Sequence, residues 1–335
     1  MSNLRVKRPF RIVGTGVCFP SNKVTSEMLE AEFELPTGWS VNNSGVGNRY
    51  HAKTETIAGL GAEAIAAALV SSGIQIDQLG MIICGSATYD YPLPNQASII
   101  KSQFNGSCTK NIPCVDIKTT CLGFITALDY ASRVVDNSKF RYIAIVCSEI
   151  ASKGLNPANR ETLTLFGDGA AAAIIAFDES GESGAIHNSM YTYSEGVTFT
   201  EVKGGGTQFF FKDYPYDPQL HSFSMDGIKL LRLTKRELPA FIDDFFSELP
   251  VDIFGVDHII PHQASRVGLH VFYTMYNIEE RKRHGNLHEK GNCISASIPM
   301  VLDEVIKNNL VKRGDSIFLC GTSAGFALGG LLIRY

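Results

Sequence analysis

The sequence predicts an α/β protein built from two related halves. Short runs rich in β-branched residues alternate with longer alanine-rich or amphipathic stretches, as strands and helices do in such proteins. Several strand-like runs are apolar throughout, so we expect them to be buried on both faces beneath helices. The same order of strand, helix, buried helix and strand occurs in each half of the chain, which indicates a duplication.

The individual elements follow from this pattern in chain order. Strands are predicted at residues 10–15, 81–86, 142–148, 170–176, 258–261, 316–320 and 329–334. Helices are predicted at residues 56–71, 96–103, 123–135, 232–248, 267–276 and 298–308. The strand at 81–86 begins the repeated order in the first half, and the strand at 258–261 begins it in the second.

We divide the chain into three segments. Residues 1–178 form the N-terminal half and residues 225–335 form the C-terminal half. Between them, residues 179–224 are richer in glycine, aromatic and polar residues, including a glycine triplet at 204–206. This segment is predicted to be an irregular insertion or linker.

Composition excludes several classes of protein. The 335 residues include 30 Lys plus Arg against 34 Asp plus Glu, a formal charge of −4, which lacks the basic excess of a nucleic-acid-binding surface. With 44% hydrophobic and 19% charged residues the chain is globular rather than disordered. Its longest apolar stretches fall short of the roughly 18 residues that span a bilayer. No apolar run follows the basic N-terminus, so we expect no signal peptide and a cytoplasmic location.

The cysteines are predicted to be free thiols in a reducing cytoplasm. None forms a C-x-x-C pair, so zinc ribbons and thioredoxin-like motifs have no support. Most lie in apolar runs, where a thiol behaves as a small core residue. The eight are Cys18, Cys84, Cys108, Cys114, Cys121, Cys147, Cys293 and Cys320.

Cys121 is the first candidate for chemistry. It lies in segment 118–124, Lys-Thr-Thr-Cys-Leu-Gly-Phe, directly before a helix that is apolar on nearly every side. A thiol at a helix N-terminus is close to the positive end of the helix dipole and to unpaired N–H groups, and both favour the thiolate. We therefore expect an anionic, nucleophilic sulfur here; the alternative is a buried structural cysteine.

His262 and Asn292 are further candidates. His262 follows the strand at 258–261 and begins a polar set, a place where open α/β sheets position groups that contact ligands. The alternative is a capping or solvent-facing histidine. Asn292 follows a glycine before a helix start rich in small residues, which by itself is ordinary turn and cap chemistry.

Two glycine-containing segments are candidates for structural elements of the site. Segment 166–170, Phe-Gly-Asp-Gly-Ala, leads into a buried strand and is predicted to be a tight turn near the site. Segment 320–326, Cys-Gly-Thr-Ser-Ala-Gly-Phe, follows a late strand and could direct backbone N–H groups at an oxyanion.

Two other apparent motifs fail. The Gly-Thr-Gly at 14–16 lacks the third glycine of a dinucleotide-binding turn. His284 and His288 are four residues apart, but no glutamate follows His284, and glycine and asparagine between them disfavour a helix. We therefore expect no metal and no bound cofactor.

Taken together, these motifs resemble the β-ketoacyl-acyl-carrier-protein synthase III family of the thiolase superfamily. The resemblance runs over nearly the whole chain. The segments that carry it are 12–16, 39–46, 119–124, 166–170, 261–264, 291–299 and the terminal glycine loop at 320–326.

The resemblance implies a five-layered αβαβα fold of two similar halves and a homodimer. It implies that Cys121 accepts the acyl group and that His262 and Asn292 complete a Cys-His-Asn triad. The backbone N–H groups of Cys121 and Ala324 would form the oxyanion hole. The implied reaction is a decarboxylating Claisen condensation of an acyl thioester, from coenzyme A or acyl carrier protein, with a malonyl or β-ketoacyl thioester.

Departures from the family pattern indicate a specialised member. Asn43 stands where members that prime fatty acid synthesis usually carry arginine, and Ser265 and Val267 replace residues of the usual histidine motif. These changes remove cationic contacts to coenzyme A or phosphopantetheine. Trp39 and Arg160 remain candidates for stacking on an adenine ring. One such specialised group comprises the head-to-head condensing enzymes that make alkylresorcinol-type products.

Two other functions stay open. One is acyl transfer to an alcohol or amine without decarboxylation, although Asn292 suits enolate stabilisation. The other is a non-catalytic partner subunit that binds acyl chains, although the triad is complete. Acyl chain length and the choice between coenzyme A and carrier protein depend on tertiary packing; we expect segment 89–94 to lie near the dimer seam and the acyl pocket.

Overall fold

A computed structural model of the chain describes residues 4–104, 111–210, 212–215 and 217–335. Cys108, one of the predicted free thiols, lies outside the described residues. The seven other cysteines are free. Among the helices of the described ranges, none combines the length and the apolarity needed to cross a bilayer.

Strands and helices alternate along the described residues. The strands are β1 (Arg8–Cys18), β2 (Lys23–Thr25), β3 (Asn48–Tyr50), β4 (Met81–Cys84), β5 (Cys114–Asp116), β6 (Tyr142–Glu149), β7 (Gly169–Phe177), β8 (Gly184–Thr192), β9 (Thr200–Glu201), β10 (Ser224–Met225), β11 (His258–Pro261), β12 (Ser316–Ser323) and β13 (Ala327–Arg334). The helices are α1 (Ser26–Glu32), α2 (Trp39–Ser44), α3 (Ile57–Ser72), α4 (Gln96–Ser102), α5 (Gly123–Val134), α6 (Arg160–Leu165), α7 (Gly227–Ser247), α8 (Arg266–Met275), α9 (Leu287–Lys290) and α10 (Ser297–Lys307).

The main sheet repeats one strand order twice. Its nine strands, within the described part of the chain, run β11-β12-β13-β8-β1-β7-β6-β4-β5. In the first half β1 pairs antiparallel with β7, β7 antiparallel with β6, and β6 parallel with β4. In the second half β8, β13, β12 and β11 pair with the same directions in the same order. The duplication predicted from the sequence is therefore confirmed.

Three hydrophobic clusters separate the layers of the fold. The central cluster lies between the two halves of the sheet and contains residues of both α5 and α10. A second cluster packs α3 and α4 against the outer face of the first half, and a third packs α7 and α8 against the outer face of the second. Adjacent strand residues such as Ile82 and Ile83 belong to different clusters because strand side chains alternate between faces. The result is the predicted αβαβα arrangement.

The glycines at 14–16 serve packing between β1 and α3. A Cβ on Gly14 would lie 2.4 Å from the carbonyl oxygen of Ala68, and one on Gly16 would lie 2.5 Å from that of Ala64. Only glycine allows the strand to approach the helix this closely. The motif that resembles part of a nucleotide-binding turn thus brings an outer helix onto the sheet.

The predicted strands and helices are confirmed, and the structure adds short elements that the sequence did not predict, among them β2, β3, β5, α1, α2, α6 and α9. Two further differences concern the longer elements. Helix α7 begins at Gly227, before the predicted start at residue 232. The segment 179–224 is not irregular throughout, because its first part forms strand β8, which pairs with β13 along its length. The strand lacked a clear apolar pattern because only its first three residues are buried.

Candidate active site

Cys121 lies in a short 3₁₀ turn, Thr120–Leu122, that leads into α5. Thr120 adopts a left-handed backbone conformation with φ 46°. The helix begins at Gly123, where a Cβ would stand 1.8 Å from the carbonyl oxygen of Gly85. The turn is therefore held against the end of β4 by a contact that only glycine permits, and this fixes where the sulfur lies.

One cavity of about 470 Å³ brings the predicted site residues together. Cys121, His262, Asn292 and Ala324 all line it. Much of the remaining wall is apolar, with Ile150, Leu155, Phe166, Phe223 and Leu230. The cavity combines a small set of polar groups with an apolar lining, the usual composition of a site for a small organic ligand.

The surroundings of the Cys121 thiol disfavour its ionisation. Burial raises its pKa to about 12, the N–H of Ala324 opposes this by hydrogen bonding to the sulfur, and the carboxyl of Glu149 raises the pKa further. The expectation of a thiolate held by a helix N-terminus is therefore wrong, because loss of hydration and a nearby acid outweigh the helix dipole.

His262 is a neutral imidazole fixed by its backbone. Its backbone N–H donates to the carbonyl oxygen of Cys320 at 2.7 Å, and a Cβ on Gly321 would lie 2.6 Å from the His262 Cβ. Burial lowers the pKa of His262 to about 4, and Nδ1 has no hydrogen-bond partner among the described residues. At neutral pH the ring therefore carries one N–H and one free lone pair.

Asn292 presents an amide whose orientation is determined by its neighbours. The N–H of Ile294 donates to Oδ1 at 2.9 Å, so the other terminal atom must be the nitrogen. Nδ2 donates to the carbonyl oxygen of Ala264 at 3.2 Å, which leaves its second N–H available. The backbone of Asn292 is held to Leu165 and Gly167 by hydrogen bonds of 2.9 and 3.1 Å.

The glycine loop after β12 is fastened to the cysteine turn. The Ser323 hydroxyl donates to the carbonyl oxygen of Thr119 at 2.7 Å and also contacts the hydroxyl of Thr120. This contact places Ala324 beside Cys121, where its N–H reaches the sulfur. The arrangement provides backbone donors at the position where an acyl oxygen would develop charge.

Segment 166–170 is more than the tight turn predicted from its glycines. Phe166 lines the cavity and Gly167 holds the backbone of Asn292. The fully buried Asp168 accepts from the N–H groups of Ala52 at 2.7 Å and Ser152 at 2.9 Å. The segment thus holds the backbone of Asn292 in place.

Trp39 and Arg160 lie away from the cavity lining. Trp39 begins α2 and Arg160 begins α6, and these two helices pack against each other. Neither residue lines the cavity that contains Cys121, and their common role in binding coenzyme A stays a prediction.

Sequence reasoning missed Glu149 and its partners. Glu149 is fully buried at the end of β6 and accepts hydrogen bonds from Ala87, Thr88 and Ser295. The available signal was a pair of polar residues, Ser148 and Glu149, at the end of an apolar strand.

Comparison with known proteins gives a consistent set of relatives. Residues 115–194 match the family model of 3-oxoacyl-[acyl-carrier-protein (ACP)] synthase III, and residues 248–335 match that of its C-terminal part. The chain is 27% identical over 325 residues to the β-ketoacyl-[acyl-carrier-protein] synthase III of Vesicomyosocius okutanii subsp. Calyptogena okutanii, covering 97% of this chain and 98% of that protein. It is 28% identical over 330 residues to acetoacetyl CoA synthase NphT7 of Streptomyces sp. (strain CL190), with the same coverage. The crystal structure of 3-oxoacyl-[acyl-carrier-protein] synthase III from Aquifex aeolicus VF5 matches with a TM-score of 0.87 and 28% identity, covering 97% of this chain and 100% of that one.

Proposed function

The chain belongs to the 3-oxoacyl-[acyl-carrier-protein] synthase III family, as its motifs predicted, and from that premise we propose a decarboxylating Claisen condensing enzyme that works through an acyl group on Cys121. The observation that supports this most directly is the meeting of Cys121, His262 and Asn292 on one apolar cavity. The donor is an acyl thioester of coenzyme A or carrier protein, and the acceptor is a malonyl or β-ketoacyl thioester.

In the first half-reaction the Cys121 sulfur attacks the acyl carbonyl. A new C–S bond forms, the donor's C–S bond breaks, and the thiol proton passes through His262 to the departing thiolate. Because burial raises the pKa of the Cys121 thiol, we assign proton removal to the same step as the attack. The N–H groups of Cys121 and Ala324 stabilise the charge on the acyl oxygen.

In the second half-reaction a malonyl acceptor loses carbon dioxide, and the electron pair of the broken C–C bond forms an enolate; a β-ketoacyl acceptor would instead form its enolate by giving up an α-proton. The enolate attacks the acyl carbonyl while the C–S bond to Cys121 breaks, and a proton from solvent restores the Cys121 thiol. A neutral His262 can donate one N–H to the enolate oxygen and Asn292 can donate its second amide N–H. Both donors are fixed by the backbone before the reaction begins, as electrostatic stabilisation requires.

Mass spectrometry tests the first step directly. The protein is incubated with acyl-CoA and acyl-carrier-protein donors of several chain lengths, and the adduct is mapped by peptide analysis. We expect the mass of the acyl group on Cys121. The absence of any adduct on this residue across all donors would refute the proposal, and Cys18→Ala, a substitution outside the cavity, serves as the matched control.

Release of carbon dioxide separates condensation from simple acyl transfer. With a loaded enzyme and a malonyl thioester we expect one carbon dioxide for each condensation product. Acyl transfer to an alcohol or amine would consume the donor without carbon dioxide. A non-catalytic partner subunit would neither consume the donor nor release carbon dioxide, and turnover would be seen only after a second protein is added.

Trp39 and Arg160 are proposed to contact the adenine of coenzyme A. Their helices pack together on one surface, and a planar ring fits between an indole and a guanidinium. Arg160→Ala should raise the KM for acyl-CoA and leave kcat unchanged. If the KM values for acyl-CoA and acyl-carrier-protein donors rise equally, the assignment is wrong.

The preference for a specialised lipid product over priming of fatty acid synthesis stays a prediction.

A homodimer is also proposed. Strand β5 is at the end of the nine-stranded sheet, and the nearby loop exposes Tyr91 and Leu93, which are 59% and 85% exposed. An apolar loop beside the last strand of the sheet, which pairs on one side only within the described residues, suits association with a second copy. Light scattering should give twice the chain mass; a concentration-independent monomer would exclude the dimer.

A cytoplasmic location is proposed from the free thiols. The seven described cysteines form no disulfide, which suits a reducing compartment. Fractionation of cells that express the native gene is the test, and recovery with the membrane or the medium would contradict it.

A further inference from the structure

Glu149 is a buried acid to which the proposed reaction assigns no step. It is the last residue of β6 and its side chain is 0% exposed. The carboxyl lies next to the lining of the cavity that contains Cys121, since it accepts from Ala87 and Thr88. Its charge raises the pKa of the Cys121 sulfur. A buried carboxyl is costly unless its hydrogen-bonding capacity is met, so its partners indicate what it does.

Four donors surround the carboxyl, two at each oxygen. Oε1 accepts from the N–H of Ala87 at 2.7 Å and contacts the hydroxyl of Ser295. Oε2 accepts from the N–H of Thr88 at 2.9 Å and from its hydroxyl at 2.6 Å. That hydroxyl accepts from the N–H of Ile150 at 3.3 Å, so its own proton points to Glu149. At least three contacts therefore require oxygen lone pairs, so these neighbours meet the hydrogen-bonding capacity of the carboxyl, while its burial raises its pKa.

These contacts connect three segments at the cavity: residues 87–88, the turn Ile294–Ala296 and the start of α5. Ala87 and Thr88 line it directly. Ser295 belongs to the 3₁₀ turn Ile294–Ala296, whose first N–H fixes the amide of Asn292. The same turn rests on the start of α5, because a Cβ on Gly123 would lie 3.2 Å from the Ser295 Cβ.

We propose that Glu149 is a positioning residue: it holds the turn that orients Asn292 against the turn that carries Cys121. This role rests on the proposed condensation. The effect of the carboxyl on the sulfur is a property of the resting protein and is measured separately.

The charge of Glu149 opposes formation of a second anion beside it. It raises the pKa of Cys121 in addition to burial. The neighbouring thiols of Cys84, Cys147 and Cys293 stay neutral, since burial raises the pKa of each and Glu149 acts in the same direction. Glu149 is therefore the charged group in this cluster that changes how readily Cys121 loses its proton.

Three variants separate the two effects. Glu149→Gln removes the charge and places an amide N–H₂ opposite at least one backbone N–H. Ser295→Ala keeps the charge and removes only the link to the turn of Asn292. Asp178→Asn is the matched control, because Asp178 is another buried carboxyl that accepts from a backbone N–H, that of Ser183 at 2.8 Å. Asp178 comes directly after the last residue of β7. Gly169, which pairs with Glu149, is at the opposite end of that strand.

The first measurement is alkylation of Cys121 by iodoacetamide from pH 6 to 10, followed by mass spectrometry. For Glu149→Gln we expect a lower pKa for Cys121, the effect of removing a nearby like charge, and therefore faster alkylation at every pH from 6 to 10. The rate at pH 7 should rise only about threefold, because nucleophilicity falls as the pKa falls. Ser295→Ala and Asp178→Asn should keep the parental profile.

The second measurement is the ratio of condensation to acyl loading in single turnover. Glu149→Gln should lower it about tenfold or more, and Ser295→Ala severalfold, while Asp178→Asn leaves it unchanged. A folded Glu149→Gln with the parental alkylation profile overturns the electrostatic part, and a parental ratio overturns the positioning part. If Glu149→Gln does not fold, a parental ratio in Ser295→Ala overturns the positioning part. If the parent never acquires an acyl group, the proposed function fails while the alkylation profile still decides the role of the charge.

Discussion

The two halves of the molecule contain the same turn and use it differently. In the first half the 3₁₀ turn Thr120–Leu122 leads into α5, and in the second half Ile294–Ala296 leads into α10. The first residue of each turn has a left-handed backbone, with φ 46° at Thr120 and 49° at Ile294. The middle residue is Cys121 in one case and Ser295 in the other.

Surroundings rather than backbone geometry separate these two positions. Cys121 is partly exposed and lines the cavity, whereas Ser295 is fully buried with its hydroxyl on Glu149. A duplicated unit thus supplies two equivalent turns, one that presents a sulfur to the cavity and one that anchors the asparagine opposite. The predictions below test how far that equivalence extends.

The largest effect is expected on moving the thiol from one turn to the other. Cys121→Ala should abolish acyl loading, a loss of about a thousandfold or more. Adding Ser295→Cys to that variant should restore nothing, because position 295 does not open on the cavity. Intact-protein mass after incubation with an acyl donor gives the answer. An acyl group on residue 295 would show that the two turns are interchangeable and that the cavity does not select between them.

The next largest effect concerns the asparagine that the second turn orients. Asn292→Ala should leave loading intact and slow condensation about a hundredfold or more, the loss typical of one oxyanion donor. Asn292→Asp keeps the oxygen that accepts from Ile294 but has no N–H to donate, so it should fail in the same way. Carbon dioxide release and acyl loading are measured on the same samples. Active Asn292→Asp would mean that the residue serves only to fix the turn.

A stability difference is expected at the first residue of each helix. Gly123→Ala would drive a Cβ into the carbonyl oxygen of Gly85, at 1.8 Å, and should destabilise the protein by about 3 kcal/mol or more. At the equivalent place in α10, Ser297 accepts from the N–H of Cys293 at 3.0 Å. Ser297→Ala should therefore cost only about 1 kcal/mol. Urea unfolding compares the two, and equal losses would show that the close contact relaxes.

The sequence predicts regular elements well where burial is uniform along them. The apolar runs that form β4, β6 and β7 are recognisable without tertiary information because both of their faces are covered. Strand β8 was missed because its burial decreases along its length, from Ala185 to the largely exposed Tyr191.

The candidate site divides in the same way. Cys121, His262 and Asn292 could be found because each lies in a short motif. Glu149 could not, because its donor residues are 61, 62 and 146 residues away in the chain and meet it only after folding. The protonation state of Cys121 was predicted wrongly for the same reason: a helix N-terminus is visible in the sequence, whereas burial and a neighbouring carboxylate are not.

The smallest effect, and the finest test of the contrast between the two turns, is the pH dependence of Cys121. Its pKa is raised to about 12, so the thiolate is a minor species at neutral pH and grows about tenfold for each pH unit up to that value. Iodoacetamide alkylation of Cys121 should therefore rise steadily from pH 7 to 10. Alkylation of glutathione in the same tube should instead begin to level off once the pH passes the ordinary pKa of a thiol. His262 adds no step near its usual pKa because burial keeps it neutral down to about pH 4. A plateau between pH 6 and 8 would instead reveal a preformed thiolate–imidazolium pair, and the first turn would then differ from the second in charge as well as in exposure.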